Sequence, residues 1–334
     1  MSSALVLGGG GVLGFAWTVG ALSAWQDHTG QNATDSALVV GTSAGSVLAA
    51  LLGCRIPIEV IERHHQGVPL PADPAIDWDY NAESGGALPP RPGWRPGSPR
   101  LVLDAVRHPR SSSATVALSG LLPRGRGTLE PIHDMVAATS VECLPGQNWP
   151  TDPKVWIVGT DYESGKRVVF GRDDVSAILA DAVCASCAIP AWYPPIEIDG
   201  RRFVDGGTAS NASVDIVLPL VETGSITEVV IAAPMAAVDY DKPRSPVTRL
   251  ERVVRRAITR GIETDAQQLR AAGADVTILA PSADDLEVMG PNLMNPRRRN
   301  EVLLTALRTT TELLERGGPA ALLDEGAAAD GSSS

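Results

Sequence analysis

The chain has 334 residues, of which 44% are hydrophobic and 20% are charged, and its formal net charge is −11. This length is enough for one large or two smaller domains with a substantial buried core. The acidic balance argues against nucleic acid as the main partner and against purely electrostatic docking on anionic lipid. A neutral lipid or another ester remains open as a substrate.

The first residues lack the basic region of a secretory signal, and no stretch approaches the roughly 20 apolar residues that a membrane-spanning helix needs. We therefore expect a cytoplasmic protein and leave peripheral contact with a membrane open. No pattern in the chain indicates an oligomeric state.

The first part of the chain alternates strand and helix patterns. Ala4–Leu7 and Ala37–Val40 are short apolar runs typical of buried strands. Helical patterns follow each of them, one over 12–27 and one ending near Cys54, and Pro57–Gln66 predicts a further short helix. Alternation at this spacing predicts an α/β fold in three layers, with a central, largely parallel sheet and helices on both faces.

Residues 67–127 interrupt this alternation. Prolines and glycines are concentrated at 88–99, and their density prevents a regular core element. An insertion of this length is typical of a lid, a binding loop or a disordered segment. Trp78, Tyr80 and Trp94 suggest that part of it packs at the entrance of a pocket, and a surface excursion without function remains the alternative.

Regular patterns return after the insertion. They predict helices at 129–140, 174–189, 247–272 and 300–316, strands at 154–158, 167–170, 228–233 and 275–280, and a hairpin at 196–204. The Gly-, Ala- and Ser-rich tail at 318–334 is expected to be disordered. We predict a single domain over 4–317, with a motif-bearing core at 4–216 and further strands and helices at 217–317.

A run of glycines separates the first strand from the first helix. Gly9 to Gly14 form a G-x-G-x-x-G pattern, the fingerprint of a dinucleotide site. That fingerprint also needs an acidic residue at the end of the next strand, whereas Asp35 precedes the strand. The alternative is chemical, because backbone N–H groups free of side chains and backed by a helix dipole can stabilise an oxyanion.

A serine stands between the second strand and its helix. Gly41-Thr42-Ser43-Ala44-Gly45 is a G-x-S-x-G pattern, which places a nucleophilic serine on a sharp strand-to-helix turn. The glycines allow the backbone to turn tightly. A glycine- and serine-rich loop that only caps the helix is the alternative.

The usual activating histidine is missing from its usual place. The common order on α/β hydrolases is Ser, then Asp or Glu, then His, and no histidine follows His133 in this chain. An aspartate that acts directly on the serine remains. Asp205, which leaves a predicted strand into Gly206 and Gly207, is one candidate, and Asp161, at the start of a hairpin turn, is the less favoured one.

The three glycine-bearing turns, at 8–14, 41–45 and 205–207, resemble in order and kind those of the patatin-like phospholipases. The segment Ala185–Pro190, followed by Pro194 and Pro195, is similar to the stretch ahead of that family's aspartate. The resemblance covers about residues 4–216. It implies an α/β acyl hydrolase with a Ser–Asp dyad and no metal or organic cofactor.

Carried onto this sequence, the resemblance implies that Ser43 is the nucleophile and Asp205 the base. The backbone N–H groups of Gly10, Gly11 and Ala44 would then hold the oxyanion. One position departs from the family, which usually has Arg or Lys where this chain has Leu13. The missing cation puts in doubt the stabilisation of negative charge near the site, or the preference of the site for anionic head groups.

We therefore predict a serine acyl hydrolase that cleaves carboxylic esters of acyl lipids. Two alternatives remain open: an esterase or thioesterase for small substrates with the same dyad, and a patatin-like scaffold that binds lipid or protein without turnover.

Several other residues have simpler interpretations. Cys184 and Cys187 form a C-x-x-C pair without further metal ligands nearby, and we interpret them as small apolar packing residues of a helix. Arg297–Arg299 is a basic cluster, which we interpret as solvated charge rather than as a site for a phosphate or lipid head group. Asn211 follows Asp205 closely and is a weak candidate for orienting it.

Overall fold

A computed structural model describes residues 2–74, 76, 125–243 and 245–317 of the chain. Most of the predicted insertion, including Trp78, Tyr80 and Trp94, and the predicted disordered tail at 318–334 lie outside the described residues. The prediction of one domain over 4–317 stays a prediction.

The described strands and helices follow one another in nearly the predicted order. The strands are β1 Ser3–Leu7, β2 Leu38–Thr42, β3 Lys154–Asp161, β4 Arg167–Phe170, β5 Ile196–Ile198, β6 Arg201–Asp205, β7 Glu228–Ala232 and β8 Asp275–Leu279. The helices are α1 Gly11–Thr29, α2 Ala44–Gly53, α3 Ile58–Gln66, α4 Glu130–Cys143, α5 Leu179–Cys187, α6 Leu218–Glu222, α7 Pro246–Ala271, α8 Ala283–Met289 and α9 Arg299–Gly317.

These strands form one sheet of eight in the order β5-β6-β3-β2-β1-β7-β8, with β4 also paired to β3. Five strands that are consecutive in this order are parallel to one another: β3, β2, β1, β7 and β8. The pairs β3–β4, β3–β6 and β5–β6 are antiparallel. The predicted largely parallel sheet is therefore confirmed, with an antiparallel extension on the β3 side.

Strand β3 has different neighbours along its length. Its residues Ile157 and Val158 pair with β2 and also with β4, whereas Gly159 and Thr160 pair with β4 and with β6. Because a strand has only two hydrogen-bonding edges, β6 must occupy the edge that β2 leaves free where β2 ends. The carboxyl ends of β2 and β6 therefore meet head to head beside β3.

Helices cover both faces of the sheet. In β1, Leu5 and Leu7 join one apolar cluster with residues of α1, α2, α4, α5 and α9, whereas Ala4 and Val6 join a second cluster with residues of α7 and the 212–226 segment. This alternation follows from the two-residue period of a strand. It confirms the three-layer α/β class.

The structure differs from the predicted elements in a few places. Strand β3 continues to Asp161 because β4 and β6 supply antiparallel partners beyond the end of β2. Helix α5 begins at Leu179 rather than near Asp174, since the Asp173 side chain accepts the Val169 N–H at 2.8 Å in a preceding turn. The short helices α6 and α8 have no counterpart in the sequence analysis. Within the described ranges, no helix is long and apolar enough to cross a membrane.

We expect Gly20→Ala in α1 to destabilise the fold. An added Cβ would lie 2.3 Å from the Leu303 carbonyl oxygen of α9, so the two helices would have to move apart. Such overpacking costs about 1–3 kcal/mol in the free energy of unfolding, measurable by urea titration. Gly261→Ala in α7 is the matched control, because its Cβ would meet nothing within 4 Å. The control should gain about 0.5–1 kcal/mol through helix propensity. Equal effects of the two substitutions would contradict the close approach of α1 and α9.

Candidate active site

Ser43 lies on the turn between β2 and α2 in a strained backbone conformation, with φ 52° and ψ −124°. The turn is too tight for side chains on its flanks. A Cβ on Gly41 would lie 2.5 Å from the Gly45 carbonyl oxygen, and one on Gly45 would lie 2.3 Å from that of Leu7. Both glycines of the motif are therefore required by close packing, and the turn projects the Ser43 side chain from the sheet edge.

Asp205 ends β6 and faces Ser43. The Ser43 Oγ donates a hydrogen bond to the Asp205 Oδ2 at 2.7 Å, and the Gly207 N–H donates to Oδ1 at 2.7 Å. The Asp205 backbone is fixed as well, since its N–H donates to the Ala188 carbonyl and its own carbonyl accepts from the Thr160 hydroxyl. The carboxylate is thus held in one orientation with one oxygen on the serine.

Burial controls the protonation of this pair. Ser43 is 7% and Asp205 5% exposed. Desolvation raises the pKa of Asp205 from 3.8 to about 6, and the hydrogen bonds from Ser43 and Gly207 partly oppose the rise. The carboxylate is consequently a stronger base than a solvated aspartate.

A second layer of side chains holds the serine turn from below. The Ser43 N–H donates to the Ser186 Oγ at 2.8 Å, and the Ser186 Oγ donates to the Val158 carbonyl at 2.6 Å. The Ser43 carbonyl accepts from the Ser46 Oγ at 2.6 Å and from the Cys187 Sγ at 3.3 Å. Helix α5 thereby positions the turn, a role that sequence reasoning missed. The one available signal was the similarity of 185–190 to the family's segment before its aspartate.

The two cysteines of α5 are buried thiols. The Cys187 pKa is raised well above its ordinary value and the Cys184 pKa to about 12, mainly because both groups are desolvated. They contact carbonyl oxygens, Cys187 that of Ser43 and Cys184 that of Leu129. These contacts agree with the packing role inferred from sequence. Among the described residues, no group of three or more potential ligands is placed to hold a metal ion.

The glycine turn at 8–14 lies against Ser43. A Cβ on Gly9 would come within 3.1 Å of the Ser43 Cβ. The Gly8 and Gly9 N–H groups are occupied by the carbonyls of Ala232 and Asn211. Within the described part of the chain, by contrast, the N–H groups of Gly10, Gly11 and Ala44 have no hydrogen-bond acceptor, as expected at the starts of α1 and α2.

A buried arginine supports this turn from behind. Pro234 packs on it so closely that a Cβ on Gly10 would lie 2.9 Å from the proline Cγ. The Pro234 carbonyl accepts a 2.6 Å hydrogen bond from Arg255, which is fully buried and paired with Glu251. The family usually has a cation at the position of Leu13. In this chain the Leu13 side chain is fully buried in the core.

The other candidates lie elsewhere. Asp161 caps its hairpin turn, accepting from the Ser164 N–H at 2.8 Å, and pairs with Arg201. The Asn211 side chain lies beside Gly8 and Gly9, and no described hydrogen bond joins it to Asp205. In the Arg297–Arg299 cluster, Arg298 donates to the Val288 carbonyl at 3.0 Å.

Two of the described histidines have partners outside the Ser43–Asp205 pair. The His65 ring is buried against Phe15, and His133 lies beside Asp134 and Asp181.

The three-layer α/β fold thus places a serine on a tight turn facing a buried aspartate. A family model described as patatin-like phospholipase matches residues 5–67 and 151–218. Over these two segments, the chain is similar to the patatin-like phospholipases. The unmatched interval contains most of the predicted insertion.

Part of the chain is similar in sequence to mycobacterial proteins, and two solved structures resemble it more weakly. Uncharacterized NTE family proteins of Mycobacterium bovis and Mycobacterium tuberculosis are 34% identical over 93 residues, 28% of this chain. The match spans about a fifth of the length of these relatives, 22%. The crystal structure of VipD from Legionella pneumophila is similar with a TM-score of 0.42 at 15% identity, covering 94% of this chain and 67% of that one. That of the type III effector protein ExoU has a TM-score of 0.37 at 18% identity, covering 94% and 53%.

The buried carboxylate should cost the protein stability at neutral pH. A group whose pKa is raised in the folded state stabilises the fold below its unfolded pKa, and that stability is lost as the pH rises through the folded value. For Asp205 the loss falls between about pH 4 and pH 6 and amounts to at most about 3 kcal/mol. Asp205→Asn removes this titration.

The measurement is the free energy of unfolding of both proteins from pH 4 to pH 8, because the difference cancels all other titrating groups. The variant should become more stable relative to the parent as the pH rises through about 6. A difference that does not change with pH would contradict the buried, raised pKa.

Proposed function

We propose that the chain is a serine acyl hydrolase that cleaves carboxylic esters of acyl lipids through an acyl-enzyme on Ser43. The observation that carries the proposal is the 2.7 Å hydrogen bond from the Ser43 Oγ to the Asp205 carboxylate in a buried site. A serine hydroxyl becomes an effective nucleophile when an adjacent base takes its proton, and Asp205 is the base in contact with it.

The reaction proceeds in two halves. Asp205 accepts the Ser43 proton as the Oγ attacks the ester carbonyl carbon, and the carbonyl oxygen becomes an oxyanion. The unpaired N–H groups of Gly10, Gly11 and Ala44 donate to this oxyanion, each contributing about 3 kcal/mol in the transition state. The tetrahedral intermediate then collapses, and Asp205 passes the proton to the leaving alcohol. In the second half Asp205 takes a proton from water, whose oxygen attacks the acyl carbon; the new tetrahedral intermediate collapses to the free acid as Asp205 returns the proton to the Ser43 Oγ.

Burial makes an aspartate suitable for this work. A carboxyl of ordinary pKa holds its proton too weakly to draw one from a hydroxyl near neutral pH. With its pKa raised to about 6, Asp205 is still largely ionised at pH 7 and a much better acceptor. The pair therefore needs no histidine.

The lipid part of the proposal comes from the family, whose description names phospholipases. The small-substrate esterase and the non-catalytic scaffold are treated as outcomes of the experiments below.

Removing either member of the pair should abolish hydrolysis. Ser43→Ala and Asp205→Asn should each lower kcat/KM for a p-nitrophenyl ester by at least about a thousandfold, because nucleophile and base act as a unit. Asp161→Asn, at the rejected candidate base, is the matched control and should retain activity. A fluorophosphonate probe should label the parent at Ser43.

Two results would overturn this assignment. Full activity of Asp205→Asn would exclude the dyad, and a folded parent that neither turns over esters nor reacts with the probe would favour the scaffold. Comparing short and long p-nitrophenyl esters with phospholipids separates the lipid hydrolase from a small-substrate esterase. The first requires turnover of the long-chain and phospholipid substrates.

The pH profile should report the base directly. Only ionised Asp205 accepts a proton, so kcat/KM for a neutral ester should be half-maximal near pH 6 and fall about tenfold per pH unit below it. Asp161→Asn should have the same acidic limb. A midpoint near pH 4, the range of an ordinary aspartate, would mean that another environment or another group controls the reaction.

A further inference from the structure

Helix α7 is much longer than the strands it packs on. Its 26 residues extend roughly 39 Å at 1.5 Å per residue. Strands β7 and β8 have five residues each, or about 17 Å. The buried residues Ile262, Ala266 and Leu269, in the second half of α7, join the apolar cluster on the second face of the sheet. The first half of the helix is therefore not needed to cover the sheet.

The first half of α7 lies at the catalytic edge. It follows the loop after β7, whose last residue, Ala232, accepts the Gly8 N–H of the glycine turn. Arg255 fixes the helix there, because its guanidinium bonds to the carbonyls of Pro234 and Ala236 in that loop. Pro234 in turn packs on Gly10 and Gly14. The beginning of α7 is thus joined through one buried side chain to the proposed oxyanion site.

This part of α7 exposes large apolar side chains to solvent. Val247 and Leu250 are each 67% exposed, Val253 57% and Val254 47%. At 100° per residue these side chains share one face of the helix. We call them the apolar stripe. These four side chains are among the nine most exposed large hydrophobic side chains in the described part of the chain.

Cationic side chains border the stripe. Arg249, Arg256 and Arg260 are exposed along one flank. The acidic residue of the stretch, Glu251, is instead paired with the buried Arg252 and Arg255. An apolar face with arginines beside it and no exposed carboxylate from 246 to 260 has the composition of an interfacial helix.

We propose that the apolar stripe and its three arginines dock on the surface of a bilayer that contains anionic phospholipid. This inference rests on the proposed function, because docking through the stripe would turn the edge of the sheet that carries Ser43 toward its lipid substrate. The chain's net charge of −11 opposes docking by charge alone, so the stripe provides apolar insertion and the arginines provide local charge complementarity. A bilayer is the expected partner because it offers an apolar interior for the stripe and negative head groups for the arginines.

The test separates docking from catalysis. Sedimentation with vesicles is measured in the Ser43→Ala background, where no lipid is consumed, using phosphatidylcholine alone or mixed with phosphatidylglycerol. The variant Val247→Ser/Leu250→Ser/Val253→Ser should lower binding to the mixed vesicles at least about tenfold. The matched control, Val141→Ser/Leu304→Ser, removes side chains of similar exposure from α4 and α9 and should bind as the parent does.

The arginines are tested separately. Arg249→Gln/Arg256→Gln should weaken binding to the mixed vesicles and leave the weaker binding to phosphatidylcholine unchanged. With an active Ser43, the stripe variant should hydrolyse a short soluble ester like the parent and lose activity on vesicles. Vesicle sedimentation that does not depend on the stripe overturns the docking proposal alone, whereas absent ester hydrolysis by the parent overturns only the proposed function.

Three results would contradict the docking surface. They are equal vesicle binding by the stripe variant and the control, loss of short-ester activity in a folded stripe variant, and a parent dimer that the stripe variant converts to a monomer. The last result would assign the face to a second copy of the chain. Because the substituted apolar side chains are solvent-exposed, urea unfolding should give nearly the same stability for the stripe variant and its control.

Discussion

The candidate site depends on the edge of β3 that β2 and β6 share. Strand β2 occupies this edge up to Val158, and β6 occupies it from Gly159 in the opposite direction. Two antiparallel chains that run toward each other along one edge must end face to face. Ser43 follows the last residue of one and Asp205 ends the other, so the register of the sheet, rather than a flexible loop, sets their distance.

Most of the supports of the site act on backbone groups. The serine turn is held by hydrogen bonds to its own N–H and carbonyl, and the unpaired donors beside it are N–H groups of helix starts. A leucine at position 13, where the family usually carries a cation, leaves these donors unchanged. The cost of the arrangement is concentrated in the strained Ser43 backbone and the desolvated Asp205 carboxylate.

Much of this could be predicted from the sequence. Short apolar runs separated by helical patterns marked the strands, and three glycine-bearing turns marked where the chain must turn without side chains. The antiparallel extension of β3 could not be predicted, because a strand pattern does not say which edge a later hairpin will occupy. The roles of Ser186, Cys187 and Arg255 were hidden for a related reason: each acts through a backbone carbonyl or N–H that is distant in sequence.

The separation of Ser43 and Asp205 along the chain has a consequence for synthesis. The two residues are 162 positions apart, and Ser43 is made first. A nascent chain that has produced the serine turn has neither the carboxylate nor the α5 hydroxyl that holds the Ser43 N–H. Because β6 must add to the completed β3 before Asp205 reaches the serine, the proposed activation of Ser43 requires the chain at least as far as β6. Any fragment that stops before β6 lacks the proposed base.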